Sequence, residues 1–70
     1  MLTDKEKKIL NIIISYIKER KIPPTVREIC EIAGLNSTST VQGYINILER
    51  KGYIFKEKGC SRSIRVKEIS

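Results

Sequence analysis

The chain has 70 residues, enough for one domain at most, and its 14 Lys and Arg against 8 Asp and Glu leave a formal charge of +6. A basic excess of this size favours a polyanionic partner such as nucleic acid. The chain contains no histidine, which removes the commonest general base and the nucleophile pairs built on it, so we do not expect an enzyme.

The first predicted helix begins at Thr3. Thr3 with Glu6 three residues later is a capping-box pattern. The helix should end at about residues 20–21, because Pro23 and Pro24 lack a donor and disfavour helical geometry before them. Helical spacing gathers its large apolar side chains into one stripe: Ile9, Leu10, Ile13, Tyr16 and Ile17.

The second predicted helix is short. Thr25 with Glu28 repeats the capping-box pattern, and Gly34 supplies a left-handed stop, which places the helix at about 26–33. Its apolar face consists of Val26, Ile29, Cys30 and Ala33.

The third predicted helix starts within the polar run 36–40, which offers several N-caps, and continues toward Lys51 before Gly52 ends it. Its apolar face is Val41, Tyr44, Ile45 and Leu48. This face repeats the spacing of the second helix, so both stripes should pack together against the first helix. The arrangement is typical of a helix-turn-helix, here at about 26–46, in a three-helix DNA-binding domain.

From Tyr53 the spacing changes to that of strands. Segments 53–57 and 63–66 are rich in aromatic and β-branched residues, and 58–62 reads as a loop. We expect Ile54, Ile64 and Val66 to point inward. The predicted fold class is mainly α with a small β-hairpin. It is a winged helix-turn-helix, a three-helix bundle plus a wing at about 53–67, in one domain of residues 1–70.

The outer face of the third helix is polar and uncharged. No acid or base occurs from 36 to 46 in a chain that is 31% charged. Hydroxyl and amide groups suit base edges, and Gln or Asn can pair with adenine. The predicted base-reading residues are Ser37, Ser39, Thr40, Gln42, Gly43 and Asn46. The alternatives are that Ser37 and Ser39 only cap the helix and that Gly43 is a neutral surface position.

Positive residues surround this neutral face and suit phosphates, which position a protein without reading sequence. The predicted DNA-backbone contacts are Thr25, Arg27, Arg50, Lys51, Lys58 and Arg62. Arg50 and Lys51 could instead complement the helix C-terminus.

The two cysteines, Cys30 and Cys60, have no Cys-x-x-Cys or histidine companion, so we expect free thiols and no metal or cofactor. The longest apolar run, 12–14, is far shorter than the roughly 20 residues that cross a membrane. No signal peptide is evident. We expect a cytoplasmic protein without membrane contact.

Several ordered segments resemble the DNA-binding domain of LexA repressors, in the form found in Gram-positive bacteria. They are PPTVREI (23–29), GL (34–35), STSTV (37–41), LERKGYI (48–54) and SRSIR (61–65). The resemblance implies a winged helix-turn-helix that reads DNA mainly through Ser37, Ser39, Thr40, Gln42 and Gly43, with a wing near the minor groove. Cys60 departs from the family and bears on that wing contact.

The resemblance also implies a regulated repressor. LexA-like repressors bind palindromic operators of DNA-damage (SOS) genes as dimers, and RecA filaments provoke their self-cleavage. The Ser-Lys peptidase pair and most dimer contacts lie in a C-terminal domain that we do not find in these 70 residues. We therefore expect weak or no dimer in isolation, a dimer on the operator, RecA action only through that other domain, and association with the nucleoid. Whether the chain is part of a longer protein or a stand-alone regulator stays open.

Two other functions compete with DNA reading. A protein-binding winged helix would need an exposed apolar patch, to which Ile14, Ile32, Ile47 and Phe55 could contribute. An RNA-binding domain would need stacking aromatic residues, which are scarce here.

Overall fold

A computed structural model describes residues 2–56 and 64–67. It contains α1 (Asp4–Arg20), α2 (Val26–Ala33), α3 (Thr38–Arg50), β1 (Ile54–Lys56) and β2 (Ile64–Val66). The three helices and the antiparallel β1–β2 hairpin confirm the predicted fold class. The predicted loop with Lys58, Cys60 and Arg62 lies outside the described residues.

Both predicted capping boxes form. Thr3 Oγ1 accepts from the Glu6 amide at 3.2 Å, and Glu6 Oε1 accepts from the Thr3 amide at 3.2 Å. The Thr25 and Glu28 pair repeats this at 3.1 and 2.9 Å. Each cap satisfies amides that the first helical turn leaves without partners, which stabilises a helix start by about 1 kcal/mol.

The helix ends differ in their chemistry. Gly34 closes α2 with φ 73°, in the left-handed region that glycine adopts without strain. Lys21 closes α1 in the same region with φ 63°, although it carries a side chain. The predicted end of α1 is confirmed, but its left-handed cap could not be predicted, because the residue there is not glycine.

The core lies where the three helices meet and the hairpin covers them. Its fully buried apolar side chains come from every helix and both strands: Ile9, Ile13, Ile29, Val41, Ile45, Leu48, Ile54 and Ile64. Tyr44, predicted to be core, and Val66, predicted to point inward, are only partly buried and pack against this cluster.

The strand register decides which way β1 presents its side chains. Ile54 pairs with Val66 and Lys56 pairs with Ile64. Because strand side chains alternate between faces, Lys56 shares a face with the buried Ile54 and Ile64. Lys56 is therefore directed toward the side of the hairpin that packs on α3.

Candidate nucleic-acid interface

The outer face of α3 is set by what its inner face buries. Val41, Ile45 and Leu48 are fully buried, which leaves the other side of the helix to the solvent. With the start of α2, that side forms an open concavity lined by Val26, Arg27, Thr38, Ser39, Gln42, Gly43 and Asn46. The structure thus brings together four of the six predicted base-reading residues and one predicted phosphate contact.

Ser37 occupies the N-cap position of α3 in extended geometry, but within the described residues its side chain makes no capping hydrogen bond. Thr3 and Thr25 do make such bonds. The interpretation of Ser37 as a side-chain cap is therefore wrong. Its exposed hydroxyl stands at the leading end of α3.

Thr40 lies apart from the concavity. It lines a separate cleft between α1 and α3 together with Tyr44, Lys5 and Lys8. Thr40 is exposed, so it still belongs to the N-terminal end of α3 that faces outward.

A hydrogen-bond network crosses the C-terminal half of this face. Gln42 Nε2 donates to Asn46 Oδ1 at 3.1 Å, and Lys56 Nζ donates to the same oxygen at 3.3 Å. Lys56 Nζ also lies 3.6 Å from Glu49 Oε1. Sequence reasoning missed Lys56, although its two-residue spacing from Ile54 was a signal that it faces α3.

Among the predicted phosphate contacts, Arg27 lines the concavity. Arg27 is exposed, with its Nε 3.8 Å from Glu31 Oε1, a surface pair that contributes little to stability. Arg50 is exposed at the end of α3. Thr25 is half-buried, and its Oγ1 is the acceptor in the α2 capping box, which leaves its hydroxyl proton to donate.

Comparison with known proteins identifies the family. The sequence matches the LexA DNA binding domain over residues 1–63.

The chain belongs to the LexA DNA-binding domain family.

Relatives named LexA repressor support the assignment over nearly the whole chain. The protein of Caldicellulosiruptor saccharolyticus is 51% identical over 93% of this chain and 32% of its own length. Those of Lactobacillus johnsonii and Clostridium perfringens are 49% and 41% identical, over 93% and 97% of this chain and 31% and 34% of their own lengths. The chain spans about a third of the length of these relatives, and the Gram-positive resemblance is confirmed.

Lys51 has an internal partner in this LexA-family domain. Its Nζ donates to Glu6 Oε1 at 3.0 Å, and the Glu6 side chain is only 9% exposed. The pair links the end of α3 to the start of α1. Lys51 therefore holds the helices together, a role that the sequence-based prediction of a DNA-backbone contact did not include.

The pKa of Glu6 is lowered below its ordinary value. The hydrogen bond from Lys51 is the largest cause, the Thr3 amide adds to it, and burial opposes both. Because the folded pKa lies below the unfolded one, the resulting stabilisation is fully present above the unfolded pKa. It is lost as the pH falls through the folded value.

We expect Glu6→Gln to lower the free energy of unfolding at neutral pH, because the amide removes the charge that Lys51 binds. The difference in unfolding free energy between the variant and the unmodified chain should disappear in acid, where Glu6 is itself protonated. Urea unfolding of both proteins across this pH range measures the difference, and Lys51→Met should show the same trend. A difference that is independent of pH would contradict the role of the Glu6 charge.

The LexA-family domain exposes several large apolar side chains. Within the described residues they are Ile14, Ile22, Ile32 and Phe55. The prediction of Ile47 as exposed is wrong, since it is half-buried, and Ile22 was not predicted. Ile14 and Phe55 line a groove between α1 and the hairpin, whereas Ile32 lines a cleft beside α1. Ile14 and Phe55 therefore share one groove while Ile32 lines another, so these side chains do not all line one surface groove.

Cys30 is a free, buried thiol, and its Sγ donates to the Leu35 carbonyl oxygen at 3.0 Å across the turn after α2. Among the described residues, no group of His, Cys, Asp and Glu could hold a metal ion. In the same part of the chain, no helix is long and apolar enough to cross a membrane.

Proposed function

We propose that this LexA-family domain is a sequence-specific DNA-binding domain of a transcriptional repressor and that it lays α3 in the major groove. The observation that carries the proposal is the exposed, uncharged polar face of α3, with hydroxyl, amide and bare-backbone positions in one concavity. The major groove admits a helix, and its base edges offer the donors and acceptors that such side chains read.

The proposed contacts divide by chemistry. Ser39, Gln42, Gly43 and Asn46 read bases from the concavity, with Ser37 and Thr40 at the leading end of α3. The residues proposed to bind phosphates, and so to position the helix, are Thr25, Arg27, Arg50, Lys58 and Arg62. Lys51 adds its charge at the same end of α3 while it holds Glu6.

The relatives named LexA repressor support a role in repression, and the resemblance to that family suggests the wider role proposed next. Two copies bind a palindromic operator of DNA-damage (SOS) genes in the cytoplasm, at the nucleoid, with weak or no dimerisation away from DNA. Any control by RecA acts through a self-cleaving C-terminal domain outside these 70 residues.

Duplex selection followed by titration tests the proposal. The 70-residue chain is used to enrich sequences from a randomised double-stranded DNA library, and fluorescence anisotropy then compares the enriched palindrome with a scrambled duplex. Two bound copies should discriminate by a factor on the order of 10³ or more, and one copy on a half-site by less. Affinity should fall steeply as salt rises, because phosphate contacts release counterions. Equal affinity for both duplexes would refute sequence-specific binding.

Replacing Gly43 with alanine should raise the stability of the domain and lower its affinity for DNA. A Cβ added at Gly43 would meet no described atom within 4 Å, and its φ is not positive, so the fold has no need of glycine there. We expect Gly43→Ala to raise the free energy of unfolding by about 0.5–1 kcal/mol, because glycine is a poor helix residue. The same methyl group should lower affinity for the enriched palindrome, since it enters the space where the backbone approaches the bases.

Thermal unfolding and anisotropy on the same preparation measure the two effects. Gly52→Ala is the contrast, since Gly52 has φ 85° and a side chain there is strained, so this variant should lose stability. A Gly43→Ala variant with unchanged DNA affinity would remove Gly43 from the interface.

A further inference from the structure

Lys56 is placed by the hairpin where it can act on the recognition face. It lies on the same strand face as the buried Ile54 and Ile64, at the end of β1, and reaches α3 beyond the edge of the core. There its Nζ donates to Asn46 Oδ1 at 3.3 Å and lies 3.6 Å from Glu49 Oε1.

The two hydrogen bonds occupy the acceptor capacity of Asn46. A side-chain amide oxygen has two lone pairs. One receives Gln42 Nε2 at 3.1 Å, and the other receives Lys56 Nζ. With its oxygen occupied, Asn46 is left with the two protons of its Nδ2 as the groups that can bond a docked base.

This orientation changes which base Asn46 can read. The usual pairing of asparagine with adenine needs the amide oxygen to accept from N6 while the amide nitrogen donates to N7. Guanine presents two acceptors, N7 and O6, in the major groove. An Asn46 amide that can only donate suits guanine and excludes the two-bond adenine pairing.

We infer that Lys56 is a positioning residue that keeps the Asn46 side chain acting as a hydrogen-bond donor. Asn46 then selects guanine over adenine at one position of each half-site. This inference rests on the proposed DNA-reading function. The preference is conveyed from the hairpin to α3. Removing Lys56 returns a lone pair to Asn46 Oδ1 and opens the adenine pairing.

A charge effect on overall affinity has to be separated from this selection. Lys56 also lies against Glu49, and the two side chains are 34% and 41% exposed. Loss of Lys56 removes a positive charge and leaves the negative charge of Glu49 without that neighbour, which weakens binding to every sequence. The ratio of guanine to adenine at one position is independent of that general loss.

The test is base selection from a randomised double-stranded DNA library by the 70-residue chain and its variants. Asn46→Ala first marks the position that Asn46 reads, as the one whose base preference disappears. At that position Lys56→Met should lower the guanine-to-adenine ratio by about tenfold, a typical size for one base contact. Lys56→Arg keeps the charge and the donors and should retain the ratio.

Lys67→Met is the matched control. Lys67 follows β2 and lines the groove between α1 and the hairpin, which Asn46 does not line, so its loss changes the net charge equally at a different surface. It should keep the preference of the unmodified chain. Circular dichroism of each variant checks that the helices are intact, which the exposed position of both lysines favours.

Each outcome has one meaning. A Lys56→Met chain that keeps the guanine-to-adenine ratio, or an Asn46→Ala chain that leaves every base preference unchanged, overturns the inference and leaves the proposed function standing. An unmodified chain that enriches no sequence at all overturns the proposed function itself.

Discussion

Ile45→Ala is expected to destabilise the domain by about 2–5 kcal/mol, the range for truncating a buried isoleucine. Ile45 is fully buried in the cluster where α3 meets the other elements. A domain of 70 residues has a total stability on the order of 5 kcal/mol, so this single change should leave much of the protein unfolded at physiological temperature. Urea unfolding followed by circular dichroism measures the loss.

The matched control is Ile32→Ala. Ile32 lies on α2 and is 56% exposed, so the same change should alter stability by less than about 0.5 kcal/mol. Similar losses at Ile45 and Ile32 would contradict the assignment of the inner face of α3. DNA binding by any folded Ile45→Ala protein should keep its base preference, because the outer face is untouched.

Gln42→Ala is expected to lower affinity for the enriched palindrome by about tenfold per half-site, hence roughly a hundredfold for two copies, the scale of one lost base contact. Gln42 lines the concavity and holds Asn46 through its Nε2. Affinity for random duplexes should change little, because those complexes rest on phosphates. Anisotropy titrations against both duplexes at one fixed salt concentration give the two numbers.

Asn11→Ala provides the matched amide deletion. Asn11 is exposed on α1, in the cleft away from α3, and its removal should leave both affinities unchanged. Equal losses on the palindrome and on random DNA after Gln42→Ala would show that Gln42 supports binding without reading bases.

Features with local causes could be predicted from the sequence. The capping boxes at Thr3 and Thr25 join residues three apart, so their pattern is visible in the chain and the structure reproduces both. The inner faces of α2 and α3 follow from helical spacing in the same way. Residue type alone is not sufficient to predict a cap. Serine favours the N-cap position, but the Ser37 side chain makes no capping hydrogen bond at the start of α3.

Features that depend on contacts between residues far apart in the chain could not be predicted from the sequence. Lys51 and Glu6 are 45 residues apart, and the residues next to Lys51 in the sequence do not indicate that it will contact a carboxylate at the start of α1. Lys56 meets Asn46 only because the hairpin folds back on α3. The sequence predicted a DNA-backbone contact for Lys51 and no role for Lys56, whereas packing gives each of them a specific acceptor within the domain.

The division of α3 into a buried stripe and an exposed stripe has a consequence for how such proteins diverge. Because the side chains that hold the fold and those that face outward are different, a lineage can exchange the outward set stepwise without passing through an unfolded ancestor. Operator preference and thermal stability can then evolve as nearly independent traits. The exception is Asn46, because the hydrogen bond from Lys56 of the hairpin orients its side chain. Positions 46 and 56 are therefore expected to change together.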